Sequence, residues 1–303
     1  MERLQKENIK AWLPLREPDA HKGDFGRVLI AAGSKGMMGA CILSCRAAFR
    51  SGSGLVAACC DPDLFSDVHA GVPEATCVAR EDVSWDRYDA AGAGPGLGVT
   101  RTAYDFLLEA MTRFSGPLVL DADALNCLAA FGIPDPKTVR VSLIITPHAG
   151  EAAKLLNAMC LKGIGTVSPE DISKDRERFG LLLSQRLGAV TVMKGAESLI
   201  ILPDGRVYQN TTGNPGMATG GSGDVLTGMT VSLAGQLAAQ GKNPEEAAVL
   251  GTLCSVYLHG LAGDMAAESW GQAGVMASDL ADYAALALRS FDPISFAERI
   301  DKK

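Results

Sequence analysis

The sequence GNPGMATGGSGDVLTG, residues 213–228, places a glycine-rich run immediately before an apolar helical pattern. Within it, Gly220–Gly223 lead into a helix that we predict to begin near Asp224. Free backbone N–H groups at a helix start, with no side chains in front of them, suit the binding of a phosphate group. Asp224 has two interpretations, a helix N-cap or a carboxylate that accepts a proton from a hydroxyl group attacking phosphorus. The complete string favours the second.

On either side of this segment, short apolar runs alternate with helical patterns. Strands that are apolar throughout are typical of a parallel sheet covered by helices on both faces. We therefore predict an α/β protein, a three-layer α/β/α fold with a central, mostly parallel sheet. Ser198–Leu202 and Arg206–Gln209 are predicted to form a hairpin. The other predicted strands are Arg27–Ala32, Leu55–Cys60, Tyr88–Ala93, Leu118–Leu120, Leu143–Thr146 and Ala189–Met193.

The helical patterns continue to the C-terminal part of the chain. Neither a repeat, a low-complexity tract nor a linker is visible, so we expect a single domain over residues 1–303. The predicted helices are Gly39–Ser51, Thr100–Phe114, Ala122–Phe131, Gly150–Leu156, Glu170–Leu187, Asp224–Ala239, Pro244–Leu261 and Ser278–Ser290.

The composition, with 47% hydrophobic and 21% charged residues, is that of a globular protein. The net charge of −7 and the absence of a long basic run argue against binding to nucleic acid or to an anionic membrane. No window reaches the roughly 18 apolar residues that a membrane span needs. Met1–Leu13 mixes charges of both signs, unlike a secretory signal, so we expect a cytoplasmic protein.

The eight cysteines do not have the spacing of a metal site. Cys41 and Cys45 lie within a helical pattern, Cys59 and Cys60 are adjacent, and no CxxC pair occurs. Cysteine without ligand spacing usually packs as a small hydrophobic residue. We therefore predict reduced, mostly buried thiols.

Glycines and isolated polar residues follow several of the predicted strands. Ligands of open α/β sheets bind at the carboxyl ends of the strands, which predicts one shared site for these residues. GSKGMMG at Gly33–Gly39 is not the GxGxxG of a dinucleotide-binding Rossmann unit, and no GxxxxGK[ST] phosphate loop occurs. The segments are Gly33–Gly39, Gly94–Gly98, Asp121, His148–Glu151, Lys194–Ser198 and Gly213–Asp224.

GGSGD before a helix resembles the phosphate loop and catalytic aspartate of ribokinase-like kinases. A larger set of motifs resembles one branch of them, the ADP- or ATP-dependent NAD(P)H-hydrate dehydratases. These motifs occur in the family's order between about residues 20 and 290. They are GDFGRVLIAAGS (23–34), GMMGA (36–40), RSGSGLV (50–56), AGPGLG (93–98), LVLDADALN (118–126), TPHAGE (146–151), VMKGAES (192–198) and NPGMATGGSGDVLTG (214–228).

The resemblance implies a role for particular residues. Asp224 matches the catalytic carboxylate and also contacts substrate, whereas Asp121 and Asn126 belong to a matching motif without an assigned role. His148–Glu151 (HAGE) departs from the Asn-x-x-Glu pattern of related kinases, and Glu151 could still hold Mg²⁺ through water. The residues matched to hydrate binding are Ala40, Gly96, His148 and Asp224. Those matched to nucleotide binding are Lys194, Gly195, Ala196, Glu197, Ser198, Gly220, Gly221, Ser222 and Gly223.

Two of these residues have a simpler interpretation. His148 could be a helix-start histidine with satisfied hydrogen bonds, and Lys194 could be an exposed cation at a strand end. The functional interpretation is favoured for both, because each lies in a segment that carries the resemblance.

The implied reaction restores NADH or NADPH from its hydrated S form, using ADP or ATP with Mg²⁺ and releasing phosphate and AMP or ADP. The resemblance also implies a homo-oligomer, often a tetramer, and an NAD(P)H-hydrate epimerase as functional partner. The alternative is a ribokinase-like kinase for a vitamin precursor or sugar. A third class, a nucleotide-binding regulatory module, would not need the Asp224 carboxylate.

Overall fold

The computed structural model describes residues 1–161 and 165–291. Its ten strands are β1 (Glu2–Arg3), β2 (Arg27–Ala31), β3 (Leu55–Cys59), β4 (Thr76–Val78), β5 (Ala90–Ala93), β6 (Pro117–Leu120), β7 (Ser142–Ile145), β8 (Val190–Met193), β9 (Leu199–Ile201) and β10 (Val207–Gln209). They form one sheet in the order β1-β10-β9-β8-β7-β6-β5-β2-β3-β4. All pairings from β8 through β4 are parallel, and β8, β9 and β10 are joined by antiparallel pairings. The predicted mostly parallel sheet and its hairpin are confirmed.

The helices cover both faces of the sheet, which confirms the three-layer α/β/α architecture. Residues of α1, α2, α3, α9, α10 and α11 share one core cluster, and those of α4–α8 share the other. The described residues form eleven helices, which are α1 (Lys6–Trp12), α2 (Met38–Arg50), α3 (Phe65–Gly71), α4 (Arg101–Arg113), α5 (Asp123–Phe131), α6 (Ala149–Ala158), α7 (Pro169–Lys174), α8 (Arg176–Leu187), α9 (Ser222–Ala239), α10 (Pro244–Trp270) and α11 (Ala277–Arg289).

Alternate residues of each central strand supply the two cores. In β2, Val28 and Ile30 pack into the first cluster, whereas Leu29 and Ala31 pack into the second. All four side chains are buried. This explains why the sequence shows continuous apolar runs in place of alternation between polar and apolar residues.

The start of α9 and the break between α7 and α8 differ from the predicted helix boundaries. α9 begins at Ser222 with Gly221 as N-cap, so Asp224 is the third residue of the helix and not its cap. The predicted helix over 170–187 is two helices, because Asp175 leaves the helical conformation at φ −144° and ψ 63°. Its side chain then accepts the N–H of Arg178 at 3.2 Å and starts α8.

α10 was predicted to end at Leu261 and instead continues to Trp270. Gly260 and Gly263 look like helix breakers in the sequence, but they allow close packing. A Cβ at Gly260 would lie 2.2 Å from Thr212 Oγ1, and one at Gly263 would lie 2.3 Å from Met217 Sδ. These glycines therefore let the chain before α9 lie directly against α10.

The described part of the chain contains no helix long and apolar enough to cross a membrane. All eight cysteines are free, and six of them are buried, with Cys77 half-buried and Cys160 exposed. The prediction that the thiols are mostly buried is thus confirmed.

Candidate active site

The polar residues predicted at strand ends lie side by side at the carboxyl edge of the sheet. Asp121 follows β6, Pro147 and His148 follow β7, and Lys194 follows β8, and these three strands are neighbours. The Lys194 N–H donates to the Pro147 carbonyl at 3.0 Å, which ties the last two strand ends together. The sheet topology therefore assembles one site from segments far apart in sequence.

Lys194 is the centre of a buried charge cluster. Its Nζ lies 2.6 Å from Asp121 Oδ1 and 3.7 Å from Glu151 Oε2. Burial lowers the pKa of Lys194, but the charges of Asp121 and Glu151 outweigh that effect and leave the pKa raised. Its side chain is only 21% exposed. Lys194 is therefore a cation neutralised inside the protein, not an exposed cation at a strand end.

Glu151 and His148 join the start of α6 to this cluster. Glu151 Oε2 accepts the His148 N–H at 2.9 Å, and the Gly150 N–H donates to His148 Nδ1 at 3.0 Å. Burial raises the pKa of Glu151, but hydrogen bonding to His148 and the charge of Lys194 lower it below its ordinary value. The His148 imidazole remains 59% exposed. It is a helix-start histidine with a hydrogen bond, and it also faces solvent where a ligand could reach it.

Asp224 differs from Glu151 in its surroundings. It is half-buried, and no group in residues 1–161 and 165–291 donates a hydrogen bond to its carboxylate. Burial, followed by the negative charge of Asp121, raises its pKa to about 6, although Lys194 opposes the shift. A carboxylate with a pKa near the working pH and no internal partner is suited to act as a general base.

The first turn of α9 has the backbone geometry that the predicted anion cradle requires. Gly221 caps the helix at φ +94° without a side-chain hydrogen bond. In the described chain, no acceptor is recorded for the N–H groups of Gly220, Gly221, Gly223 or Asp224. A Cβ at Gly223 would lie 3.5 Å from both Asp121 Oδ2 and Lys194 Nζ. These N–H groups thus lie next to the charge cluster. Because Gly223 has no side chain, nothing at this position separates them from Asp121 and Lys194.

Ala40 and Gly96, both matched to hydrate binding, lie against each other. Gly96 has φ +61°, and a Cβ there would lie 3.2 Å from Ala40 Cβ and 2.9 Å from the Met37 carbonyl oxygen. Ser44, one turn after Ala40, donates to the Asp224 carbonyl at 2.9 Å. The start of α2 is therefore fixed next to the start of α9.

The KGAES segment, residues 194–198, is the turn between β8 and β9. The Ser198 hydroxyl donates to the Gly195 carbonyl at 2.9 Å and closes the turn. Glu197 adopts φ +52° and accepts a hydrogen bond from Gln209 at 2.8 Å. Ala196 is exposed. The side chains of Glu197 and Ser198 therefore shape the turn, and its backbone is what remains for a ligand.

Two side chains that support the site were missed by the sequence analysis. His259 of α10 lies with Nε2 3.0 Å from the Ser222 carbonyl, and burial lowers its pKa to about 4. It is consequently neutral and donates to the first residue of α9. Thr227 donates to Asp121 Oδ2 at 3.0 Å. His259 lies in no motif, and the 214–228 motif contains Thr227 without indicating that its hydroxyl contacts Asp121.

Mg²⁺ is the metal that the predicted chemistry implies. Within the described ranges, no group of three His, Cys, Asp or Glu side chains could hold a metal ion. Magnesium keeps several waters and binds mainly to substrate phosphates, so it does not require such a group. Glu151 and Asp224, the carboxylates flanking the cradle, fit a water-mediated role of this kind.

A glycine-rich helix start and a half-buried carboxylate at the carboxyl edge of a three-layer α/β/α sandwich are features of a ribokinase-like protein. The chain belongs to the NAD(P)H-hydrate dehydratase family, whose family model matches residues 28–285.

Three relatives illustrate the relationship. An ADP-dependent (S)-NAD(P)H-hydrate dehydratase from Neisseria meningitidis is 38% identical, covering 88% of this chain and 86% of its own. A bifunctional NAD(P)H-hydrate repair enzyme from Moorella thermoacetica is 39% identical over 93% of this chain. This chain spans about half of that bifunctional relative, 53% of its length. The crystal structure of the Bacillus subtilis ADP/ATP-dependent NAD(P)H-hydrate dehydratase with ATP/Mg²⁺ superposes with a TM-score of 0.81 at 28% identity, covering 96% and 99% of the two chains.

Proposed function

We propose that this protein dehydrates the S form of hydrated NADH or NADPH, using ADP or ATP as phosphoryl donor. The observation that carries the proposal is the half-buried Asp224 beside backbone N–H groups that have no acceptor among the described residues. The family membership and the name of the Neisseria meningitidis relative, which includes ADP dependence, support it.

In the first step, the ring hydroxyl oxygen of the hydrate attacks the terminal phosphorus of the nucleotide. A P–O bond forms, the bond to the nucleotide breaks, and AMP or ADP leaves. Asp224 accepts the hydroxyl proton, for which a pKa of about 6 suits neutral pH. The N–H groups of Gly220, Gly221 and Gly223 stabilise the charge on the transferring phosphoryl group.

In the second step, the ring nitrogen's electron pair expels phosphate from the neighbouring carbon. Loss of a proton from the next carbon restores the ring double bond, so hydrate plus ADP gives NAD(P)H, phosphate and AMP. Hydroxide is a poor leaving group at neutral pH, and phosphorylation replaces it with a good one. The oxygen of the hydrate therefore ends in the released phosphate.

The remaining site residues have binding roles in this proposal. Ala40, Gly96 and His148 contact the hydrated dinucleotide, and the 194–198 turn with the glycine cradle contacts the nucleotide. Glu151 would hold Mg²⁺ through water together with the nucleotide phosphates, and the bound metal would neutralise phosphate charge. The positive charge of Lys194 balances the negative charges of Asp121 and Glu151 beneath the ligands.

The decisive experiment uses hydrated NADH labelled with ¹⁸O in its ring hydroxyl. With ADP or ATP and Mg²⁺, the dihydronicotinamide absorbance should grow with one phosphate released per cofactor restored, and that phosphate should carry ¹⁸O. Without nucleotide the absorbance should stay near background. Unlabelled phosphate would mean that water, not the hydrate, attacks the nucleotide, and the mechanism would be wrong.

The alternative is a small-molecule kinase with the same fold. The same assay separates it, because a kinase would consume nucleotide and leave the phosphoryl group on an organic acceptor. If neither absorbance nor phosphate changes with fresh hydrate of both configurations, the dehydratase proposal fails.

The surroundings of the reaction are part of the proposal. We expect residues 1–303 to form one domain. We also expect the enzyme to be cytoplasmic, because the reduced cofactors and adenine nucleotides that it would use are found there. An NAD(P)H-hydrate epimerase would supply the S form from the other configuration. Light scattering of the purified protein would test the expected homo-oligomer, for which a tetramer is the predicted state.

A further inference from the structure

Arg176 lies at the same edge of the sheet as the charge cluster. It is the first residue of α8, the helix that precedes β8 and runs back along it. Gly195, directly after Lys194, has φ +157°, and a Cβ there would lie 2.6 Å from Arg176 Nη1 and 3.6 Å from its Cζ. The guanidinium group therefore rests against the backbone of the KGAES turn, in space that any other residue at position 195 would fill.

Arg176 is also a cation without a counter-charge among the residues that the structure describes. Across the two described stretches of chain, the structure records no hydrogen bond, ion pair or ring contact for its guanidinium group. Lys194, by contrast, is engaged by Asp121 and Glu151. Among the described residues at this turn, Arg176 is therefore a cation whose charge no acidic side chain compensates.

The position of this arginine is not explained by the stability of α8. A cation in the first helical turn opposes the helix dipole, so local energetics disfavour it there. Arg178, two residues later, has a packing contact instead, with its Cζ 5.2 Å from the centre of the Phe179 ring. A half-buried, planar guanidinium group with five N–H donors suits the recognition of phosphate.

We propose that Arg176 binds the phosphate groups of the adenine nucleotide at the KGAES turn. The inference rests on the proposed function in one respect, that an adenine nucleotide binds at this turn. It adds Arg176 to the residues of this turn that the resemblance matches to nucleotide binding, and gives it the contact with phosphate. Arg176 is a binding residue in this assignment and takes no part in proton transfer.

Calorimetry with ADP, AMP and adenosine tests the assignment on wild-type protein, Arg176→Gln and the control Arg178→Gln. A charge-assisted hydrogen bond implies that Arg176→Gln weakens ADP binding about 10- to 100-fold. Adenosine affinity should change less than about twofold, and Arg178→Gln should behave as wild type. Wild-type affinity for ADP should also fall more steeply with added salt than that of Arg176→Gln. Arg176→Lys, which keeps the charge but loses the planar group, should give an intermediate affinity, and thermal unfolding checks that each variant is folded.

Each outcome decides the inference. Unchanged ADP affinity in Arg176→Gln would overturn it, as would an equal loss for adenosine and ADP, which would place the guanidinium against the base or ribose. If wild-type protein bound none of the three ligands, the inference would fall together with the proposed function. Selective loss of ADP binding in a protein that does not dehydrate the hydrate would uphold the inference and refute the function.

Discussion

Replacing Asp224 by Asn should stabilise the protein while removing most of its activity. The raised pKa of Asp224 means that ionising this carboxylate opposes folding, mainly through burial and the neighbouring charge of Asp121. Asn keeps the shape of the side chain and removes the charge. A residue retained for structure would show the opposite response, a loss of stability with activity preserved.

The size of the effect follows from the shift. A change from the ordinary value of 3.8 to about 6 is worth roughly 3 kcal/mol at about 1.4 kcal/mol per pKa unit. Solvent reaches part of Asp224, and the dipole of α9 favours a carboxylate in its first turn by about 0.5 kcal/mol. The expected gain at pH 8 is therefore about 1–2 kcal/mol, or roughly 2–5 °C in Tm.

The pH dependence gives the gain a signature. Above pH 6 Asp224 is ionised in both the folded and the unfolded wild-type protein, and the gain of Asp224→Asn is complete. As the pH falls from 6 to 3.8, the folded protein takes up a proton before the unfolded chain does, so the gain disappears. For the same reason, the wild-type kcat/KM should fall on the acid side with an apparent pKa near 6.

Urea unfolding at pH 8, 6 and 4.5, together with single-turnover rates at pH 8, tests this prediction. Turnover should fall about 10²–10⁴-fold, which corresponds to roughly 3–5 kcal/mol of barrier, with ADP binding retained. Asp279→Asn is a matched control, since Asp279 is the third residue of α11 but accepts the Met276 N–H at 2.8 Å. It should lose a little stability and no activity. Near-normal turnover in Asp224→Asn, or a loss of stability at pH 8, would refute the reasoning.

Three further predictions follow from the same environments. Lys194→Met leaves Asp121 and Glu151 buried without their cation and should lower the free energy of unfolding by about 3 kcal/mol in urea titrations at pH 7. His259 has a pKa of about 4 in the folded protein, against an ordinary 6.5, so the unfolded chain takes up its proton first as the pH falls. The free energy of unfolding of the wild type should therefore fall by up to about 3 kcal/mol between pH 6.5 and 4, and that of His259→Asn should fall by less. A thiol reagent should find eight thiols in denatured protein, and in the native state it should modify Cys160 first, since that cysteine is exposed. Fewer than seven thiols in freshly prepared, denatured protein would contradict the prediction.

Most of the fold could be predicted because each central strand is a continuous apolar run ended by a turn. The errors fall where that signal weakens. β4, Thr76–Val78, is a three-residue edge strand, and β1 is shorter still. α10 is buried along most of its length, so its true end at Trp270 has no amphipathic pattern to mark it.

The site could be predicted only as far as local sequence reaches. Glycines before a helix predict an anion-binding helix start from local sequence alone. Asp224 was predicted as the proton acceptor because it follows such glycines. Its surroundings could not be predicted, because the Lys194–Asp121 pair joins residues 73 positions apart. The contact of His259 with Ser222 likewise depends on how α10 packs against α9, which no spacing within either helix encodes.

Glu151 and Asp224, the two carboxylates near the start of α9, have opposite pKa shifts in the same site. Glu151 and Asp224 are both near Lys194, yet the pKa of Glu151 is lowered and that of Asp224 is raised. The difference comes from their partners: Glu151 has the His148 N–H and lies 3.7 Å from Lys194 Nζ, whereas Asp224 has no recorded donor among the described residues. Lys194 lies closest to Asp121, so its positive charge mainly balances that carboxylate and only partly offsets the charge of Asp224. Environments that push two pKa values apart assign the roles of the two groups, and here they leave Asp224 as the carboxylate able to take up a proton near neutral pH.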